Sequence, residues 1–256
     1  MTGDIEAAVA AARRELIEPR ATLFAIQRSS RKNVRDQTLR AYGRLVDAHI
    51  LITGLLAAAL LRINGKVVPI NPTLQECDAL FASFVIGIKV CEYAIAEGRY
   101  LQALALLRQE METVARIKTI RAGRRNGKQC ANMAVLGNSS LARLYGELSE
   151  AAHVSKHHIV RATTEYEVGD EELPGPTSGT RYFPAFDEGL ARRCFSLHLV
   201  LAIELVCEFT IYLKKQYNDG VTESAVEAVN LAVQLMQAEG MIEASQLAEF
   251  ERVNEA

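Results

Sequence analysis

Along most of this chain apolar residues recur at spacings of three and four, the period of an amphipathic helix. Asp4 to Ile17 is Ala-rich and amphipathic, and Pro19 is expected to close it. A charged stretch from Arg28 to Arg40 leads into a long helix expected to run to about Ile63, where Asn64-Gly65 signals a turn. Lys66 to Ile70 reads as a short extended piece before Pro72. Thr73 and Glu76 have the spacing of a capping box, in which each side chain satisfies an otherwise orphaned amide. That box should open a helix through Phe81, Phe84, Ile88 and Cys91 that stops near Gly98. Leu104, Leu107, Met111 and Val114 form the stripe of the next helix, Tyr100 to Arg121, which Gly123, Asn126 and Gly127 break.

The connection from 122 to 138 is long for a compact domain, and such loops are often functional. Ser139 or Ser140 can cap a helix that runs to about His153. Residues 159–186 do not read as helix. Ile159-Val160, Thr163 to Val168 and Thr180 to Phe183 are strand-like in composition, and an acidic turn with Pro174-Gly175-Pro176 lies between them. A two-stranded excursion or lid is expected there. A long apolar helix follows from Asp187 to Tyr217, ended by Asn218-Asp219-Gly220. Thr222 or Ser224 caps another to about Glu239, and Gly240 separates a final short helix. The fold expected is all-α, a bundle of six to eight helices with a short hairpin-like excursion near 159–186. Its segments are N-terminal helices over 1–72, a core over 73–217, and C-terminal helices over 218–256 packing on that core as one compact unit.

Composition agrees with this reading. Ala and Leu are abundant and Trp is absent. A chain of 256 residues buries roughly three quarters of its unfolded surface and needs no cross-link to fold. The net charge of −2 leaves only a local patch for nucleic-acid contact. Cys77, Cys91, Cys130, Cys194 and Cys207 are odd in number and show no C-x-x-C spacing, so they read as reduced residues of a cytoplasmic protein. The most apolar run, Ile50 to Leu61, is short of the twenty or so residues that a membrane span needs, and no membrane partner is expected.

Candidate chemistry lies in three places. Tyr145, Ser149 and His153 are four apart, so a helix stacks a phenol, a hydroxyl and an imidazole along one stripe. Arg108 and Glu112 are four apart on another helix, where Glu112 can hold the guanidinium toward a phosphate or carboxylate. Arg116, Lys118, Arg121, Arg124, Arg125 and Lys128 put six cations into thirteen residues without an acid, a candidate phosphate-contacting rim. Each feature also has a plain structural alternative: an ion pair, a packed hydrogen-bond network and a solvated face. Glu150, His153, His157 and His158 invite a metal reading, but the second Glu-x-x-His of a carboxylate-bridged bundle is missing, so no metal or other cofactor is expected. His49, Lys89, Glu92, His198, Glu204 and Glu208 interrupt apolar helices and are expected to be paired.

The order Leu107-Arg108 with Glu112, then Tyr145-x-x-x-Ser149-x-x-x-His153, then Pro184 to Glu188 before a long apolar helix resembles a group of prokaryotic helical proteins that share an Arg…Tyr-x-x-x-Ser-x-x-x-His pattern. That group looks related to the HEPN-like proteins (higher eukaryotes and prokaryotes nucleotide-binding). The resemblance covers about residues 75 to 215. It implies binding of RNA or a nucleotide, metal-independent ribonuclease chemistry in a defence or stress system, and assembly with a second copy or a neighbouring protein. The usual HEPN-like signature places Arg roughly one turn before His on the same helix. Here Arg143 is ten positions before His153 and Arg161 follows it, so Arg108 would supply the guanidinium from another helix. The competing expectations are a non-enzymatic helical interaction protein and a metal-dependent bundle enzyme.

Overall fold

The computed structural model describes residues 2–69, 71–123, 133–136, 139–153, 157–168, 177–219 and 222–241. Helical periodicity governs nearly all of them. In chain order they form α1 (Thr2–Ala41), α2 (Leu45–Ile63), α3 (Pro72–Ala96), α4 (Tyr100–Arg121), a 3-10 turn (Met133–Leu136), α5 (Ser139–Ala152), α6 (His157–Thr164), strands β1 (Glu165–Val168) and β2 (Thr177–Thr180), α7 (Glu188–Tyr217) and α8 (Glu223–Ala238). The all-α bundle expected from the sequence is the observed architecture.

Several helix ends follow from local chemistry. Asp187 caps α7 by accepting the Leu190 amide at 2.8 Å. Asn218 ends α7 in the left-handed region, at φ 50°. Thr222 caps α8 through the Ala225 amide at 3.2 Å. Gly98 ends α3 at φ +70°, packed so tightly that an added Cβ would meet the Ala185 carbonyl oxygen at 2.8 Å.

Other boundaries differ from expectation. Pro19 lies inside α1 instead of closing it. Its missing amide and ring clash cost about 3 kcal/mol, but strong helix formers on both sides carry the helix through. The break comes instead at Tyr42-Gly43-Arg44, where Gly43 adopts φ +53°. Residues 66–69 form no strand. Pro72 opens α3, so Thr73 lies in the first turn and is not its cap; a fixed proline φ suits the first helical position. The first part of the expected hairpin is the helix α6, whose Thr163 and Thr164 hydroxyls both donate to the Val160 carbonyl at 2.8 Å. The hairpin itself survives in a shorter form, antiparallel, with Glu165 opposite Thr180 and Val168 opposite Thr177. The final short helix expected after Gly240 lies outside the described residues.

One hydrophobic core runs from Tyr42 to Met236, so the N-terminal and C-terminal segments share it. Helix α7 is its axis and packs on α1, α2, α3 and α4, while α8 packs on α2. Leu199, Leu201, Ile203 and Leu205 are fully buried, each contributing roughly 1.5–3 kcal/mol. Helices α2, α3 (from Gln75) and α7 are long and apolar enough by composition to cross a membrane, a correction to the shorter apolar runs counted from the sequence. They differ in burial: 72% of the α7 window is inside the protein against 28% for α2, so α7 is a core helix and α2 keeps an outer face. Helix α1 is different again. It is exposed from Asp4 to Ile26 and joins the bundle only through its last turns, where Val34 and Thr38 are buried.

Candidate functional site

Helices α4 and α5 lie side by side and bring the two sequence-predicted stripes together. Arg108 and Glu112 are one turn apart on α4, and Arg108 Nε donates to Glu112 Oε1 at 3.0 Å. From α5, Tyr145 Oη donates to the same Glu112 oxygen at 2.7 Å. His153 follows the last turn of α5, its amide bonded to the Ser149 carbonyl at 3.0 Å. Arg108 Nη1 lies 2.9 Å from His153 Nε2. A guanidinium only donates, so Nε2 must present its lone pair and a neutral imidazole carries its proton on Nδ1. Arg108 Nη2 reaches Tyr145 Oη at a longer 3.5 Å, and the guanidinium carbon sits 5.5 Å from the Tyr145 ring centre.

Electrostatics keep the Arg108 guanidinium charged and the Tyr145 phenol protonated near neutral pH. The Tyr145 hydrogen bond, opposed by burial and helped by the Glu112 charge, holds the Arg108 guanidinium above its ordinary value. Burial, then the bond to Glu112, pushes the Tyr145 phenol up, so it stays a donor. Glu112 is 37% exposed and His153 is exposed, so the network opens to solvent along one side. Among the described residues, Ser149 joins it only through its backbone carbonyl.

The basic segment is arranged differently from a free rim. Arg116, Lys118 and Arg121 belong to α4, and each finds a carboxylate on another helix. Arg116 donates to Glu76 at 2.6 Å, Arg121 donates twice to Glu208 at 2.6 and 3.0 Å, and Lys118 pairs with Glu204. Lys118 is buried and presents no charge to solvent. The compensating acids, absent within the segment, come from α3 and α7. Arg124, Arg125, Lys128 and Cys130 lie outside the described residues. The other interrupting polar residues pair as expected: Lys89 with Glu92, His49 with Glu92, and His198 with Glu110. Glu110 was not singled out in the sequence, because a glutamate in a helix of mixed polarity carries no signal of its interior partner.

A second unannounced feature is a cavity of about 640 Å³ between α4, α5, α6 and α7. Its walls are mostly apolar, with leucines such as Leu104, Leu107, Leu144 and Leu148, and Arg193, His158 and Glu147 are among the polar groups. None of the four network residues lines it. The leucine spacing on α4 and α5 is visible in the sequence but reads as ordinary core.

Comparison with protein-family models, with curated proteins and with solved structures finds no match for this chain.

Proposed function

We propose that this chain is a HEPN-like helical protein of the cytoplasm that binds RNA or a nucleotide phosphate along the α4–α5 edge, and that on RNA it acts as a metal-independent ribonuclease. The observation that carries the reading is the 2.9 Å contact between Arg108 Nη1 and His153 Nε2. It sets a fixed cation beside an imidazole nitrogen on the solvent-facing side of the network. In the proposed reaction the neutral His153 takes the proton of a ribose 2′-hydroxyl. The freed oxygen forms a bond to the adjacent phosphorus as the bond to the 5′-oxygen breaks, and the departing oxygen takes a proton from solvent. Arg108 balances the charge that builds on the phosphoryl oxygens. Glu112 and Tyr145 are positioning residues, since they hold the guanidinium.

Purified protein incubated with end-labelled RNA in EDTA tests this directly. Cleavage by the wild type, lost in both Arg108→Ala and His153→Ala variants of verified fold, is the expected result. Full cleavage by His153→Ala would end the mechanism.

A second reading has its own observation: all three donor nitrogens of Arg108 already face protein acceptors. A network so closed fits a non-enzymatic interaction protein in which the stripe is structure. Absence of both cleavage and RNA retention by the wild type, with thermal destabilisation of His153→Ala, would favour it.

A further inference from the structure

Four helices converge on a second polar centre, away from α5. Helix α2 supplies His49, α3 supplies Cys91 and Glu92, α4 supplies Glu110, and α7 supplies His198. His198 is completely buried, and Cys91 and Glu110 nearly so. His49 and Glu92 lie at the α2–α3 edge, where Lys89 Nζ donates to Glu92 Oε2 at 2.6 Å.

His198 Nδ1 is 2.9 Å from Glu110 Oε2. In the neutral imidazole a carboxylate there holds the proton on Nδ1 and leaves Nε2 free to coordinate. Among the described residues, no group pairs with that Nε2. His49 Nε2 and Glu92 Oε1 lie 2.8 Å apart as an ion pair at the α2–α3 edge. One donor atom from each of His49, Glu92 and His198 lies within 4.8 Å of the other two. Buried polar atoms are nearly always satisfied, so an orphaned His198 Nε2 facing the His49–Glu92 pair marks a place for a common partner.

We propose that His49 Nε2, Glu92 Oε1 and His198 Nε2 ligate a divalent transition-metal ion of the zinc class. Imidazole nitrogen and carboxylate oxygen bind zinc at about 2.0–2.2 Å, which spaces tetrahedral ligands by about 3.3–3.6 Å; the three atoms lie within 4.8 Å of one another, and His49 Nε2 and Glu92 Oε1, at 2.8 Å, part by roughly 0.5–0.8 Å to take the ion. Glu110 is a positioning residue: it holds the ring of His198 through Nδ1, the carboxylate–histidine–metal relation that orients and strengthens such a ligand. Charge also closes. A dication with the carboxylates of Glu92 and Glu110 makes a neutral interior centre, and Lys89 stays at the surface, 68% exposed. Three protein ligands leave a fourth position for water. Cys91 Sγ, grouped with Glu110 and His198 inside the same 4.8 Å limit, stands next to the centre as a soft donor. This centre is independent of the α4–α5 edge.

The full chain, stripped with EDTA and desalted, is titrated with Co²⁺ and followed by visible absorption; bound zinc is then counted after displacement and gel filtration. One ion per chain, a tetrahedral Co²⁺ spectrum and a raised Tm are expected. His49→Gln and Glu92→Gln should each abolish retention, with metal-free melting close to that of metal-free wild type. Glu110→Gln should keep the spectrum and weaken affinity about 10–100-fold, which a purely structural residue would not do. Three results would overturn the site. The folded wild type retains no ion. Binding persists in both Gln variants at His49 and Glu92. Or binding is lost only with His153→Ala or His158→Ala, on the outer helices.

Discussion

Replacing Arg108 with Ala separates a working site from a structural network, because the two readings place the loss in different measurements. The guanidinium makes one charge-assisted bond to Glu112 at 3.0 Å, one to His153 at 2.9 Å, and a weak one to Tyr145 at 3.5 Å. Its removal does not strand a buried charge. Glu112 is 37% exposed and keeps the Tyr145 hydroxyl at 2.7 Å, and His153 is in solvent. The stability loss is therefore that of a partly exposed pair, about 1 kcal/mol. For a chain of this size that lowers Tm by about 2–4 °C. If Arg108 balances the phosphoryl charge, the cost to cleavage is far larger, about 10²–10³ in rate, as for the loss of one preorganised donor. Thermal melting and a single-turnover RNA assay in EDTA, run on the same preparation, read both quantities. Cleavage within threefold of wild type would refute the catalytic role. A Tm drop above about 10 °C would refute the account of an open, solvated network.

Gly98→Ala should cost about 3 kcal/mol in denaturant unfolding, because φ is +70° and the new methyl would meet Ala185 O at 2.8 Å and Val34 Cγ1 at 2.9 Å; a loss under 1 kcal/mol would contradict that packing. Arg121→Ala should cost about 2–3 kcal/mol, since it leaves the buried Glu208 carboxylate without its cation, and adding Glu208→Gln should recover part of the loss in a double-mutant cycle. Glu239 is held below the usual carboxylate value, first by its hydrogen bond to Arg192 and then by the Arg44 amide. A lowered carboxylate adds stability in full above its unfolded value near 4.5 and loses it as pH falls through the lower folded value. Urea unfolding should therefore show the wild type losing more stability than Glu239→Gln between pH 5 and about pH 3.

The helices were legible because burial and period coincide in them. Tyr100 to Arg121 and Asp187 to Tyr217 carry three-and-four spaced apolar residues between clear stops, and α4 and α7 follow them. Boundaries failed where a local signal was overridden: Pro19 by its helix-forming neighbours, and the β-branched 159–164 run by the inward packing of Ile159 and Thr163, four apart on one helical face. The α4–α5 constellation was half legible. Each stripe is visible from its spacing of four, but their meeting depends on how two helices cross, which no local pattern encodes. The basic segment misled for the same reason, since the acids that neutralise Arg116, Lys118 and Arg121 are distant in sequence. The centre at His49, Glu92, Glu110 and His198 draws on four helices and leaves no motif in any of them.

Helix α1 is 40 residues, about 60 Å at 1.5 Å per residue, and most of it has no neighbour among the described residues. Tertiary packing normally supplies most of the stability of a helix, so this one is held largely by its own helix–coil equilibrium. Amide hydrogens from Asp4 to Ile26 should exchange with solvent through local fraying, with Pro19 as a weak point that lets the two halves open separately. Those at the centre of α7 should exchange only when the whole bundle unfolds. The chain thus carries two stabilities, and a protease would remove its first turns long before the core yields.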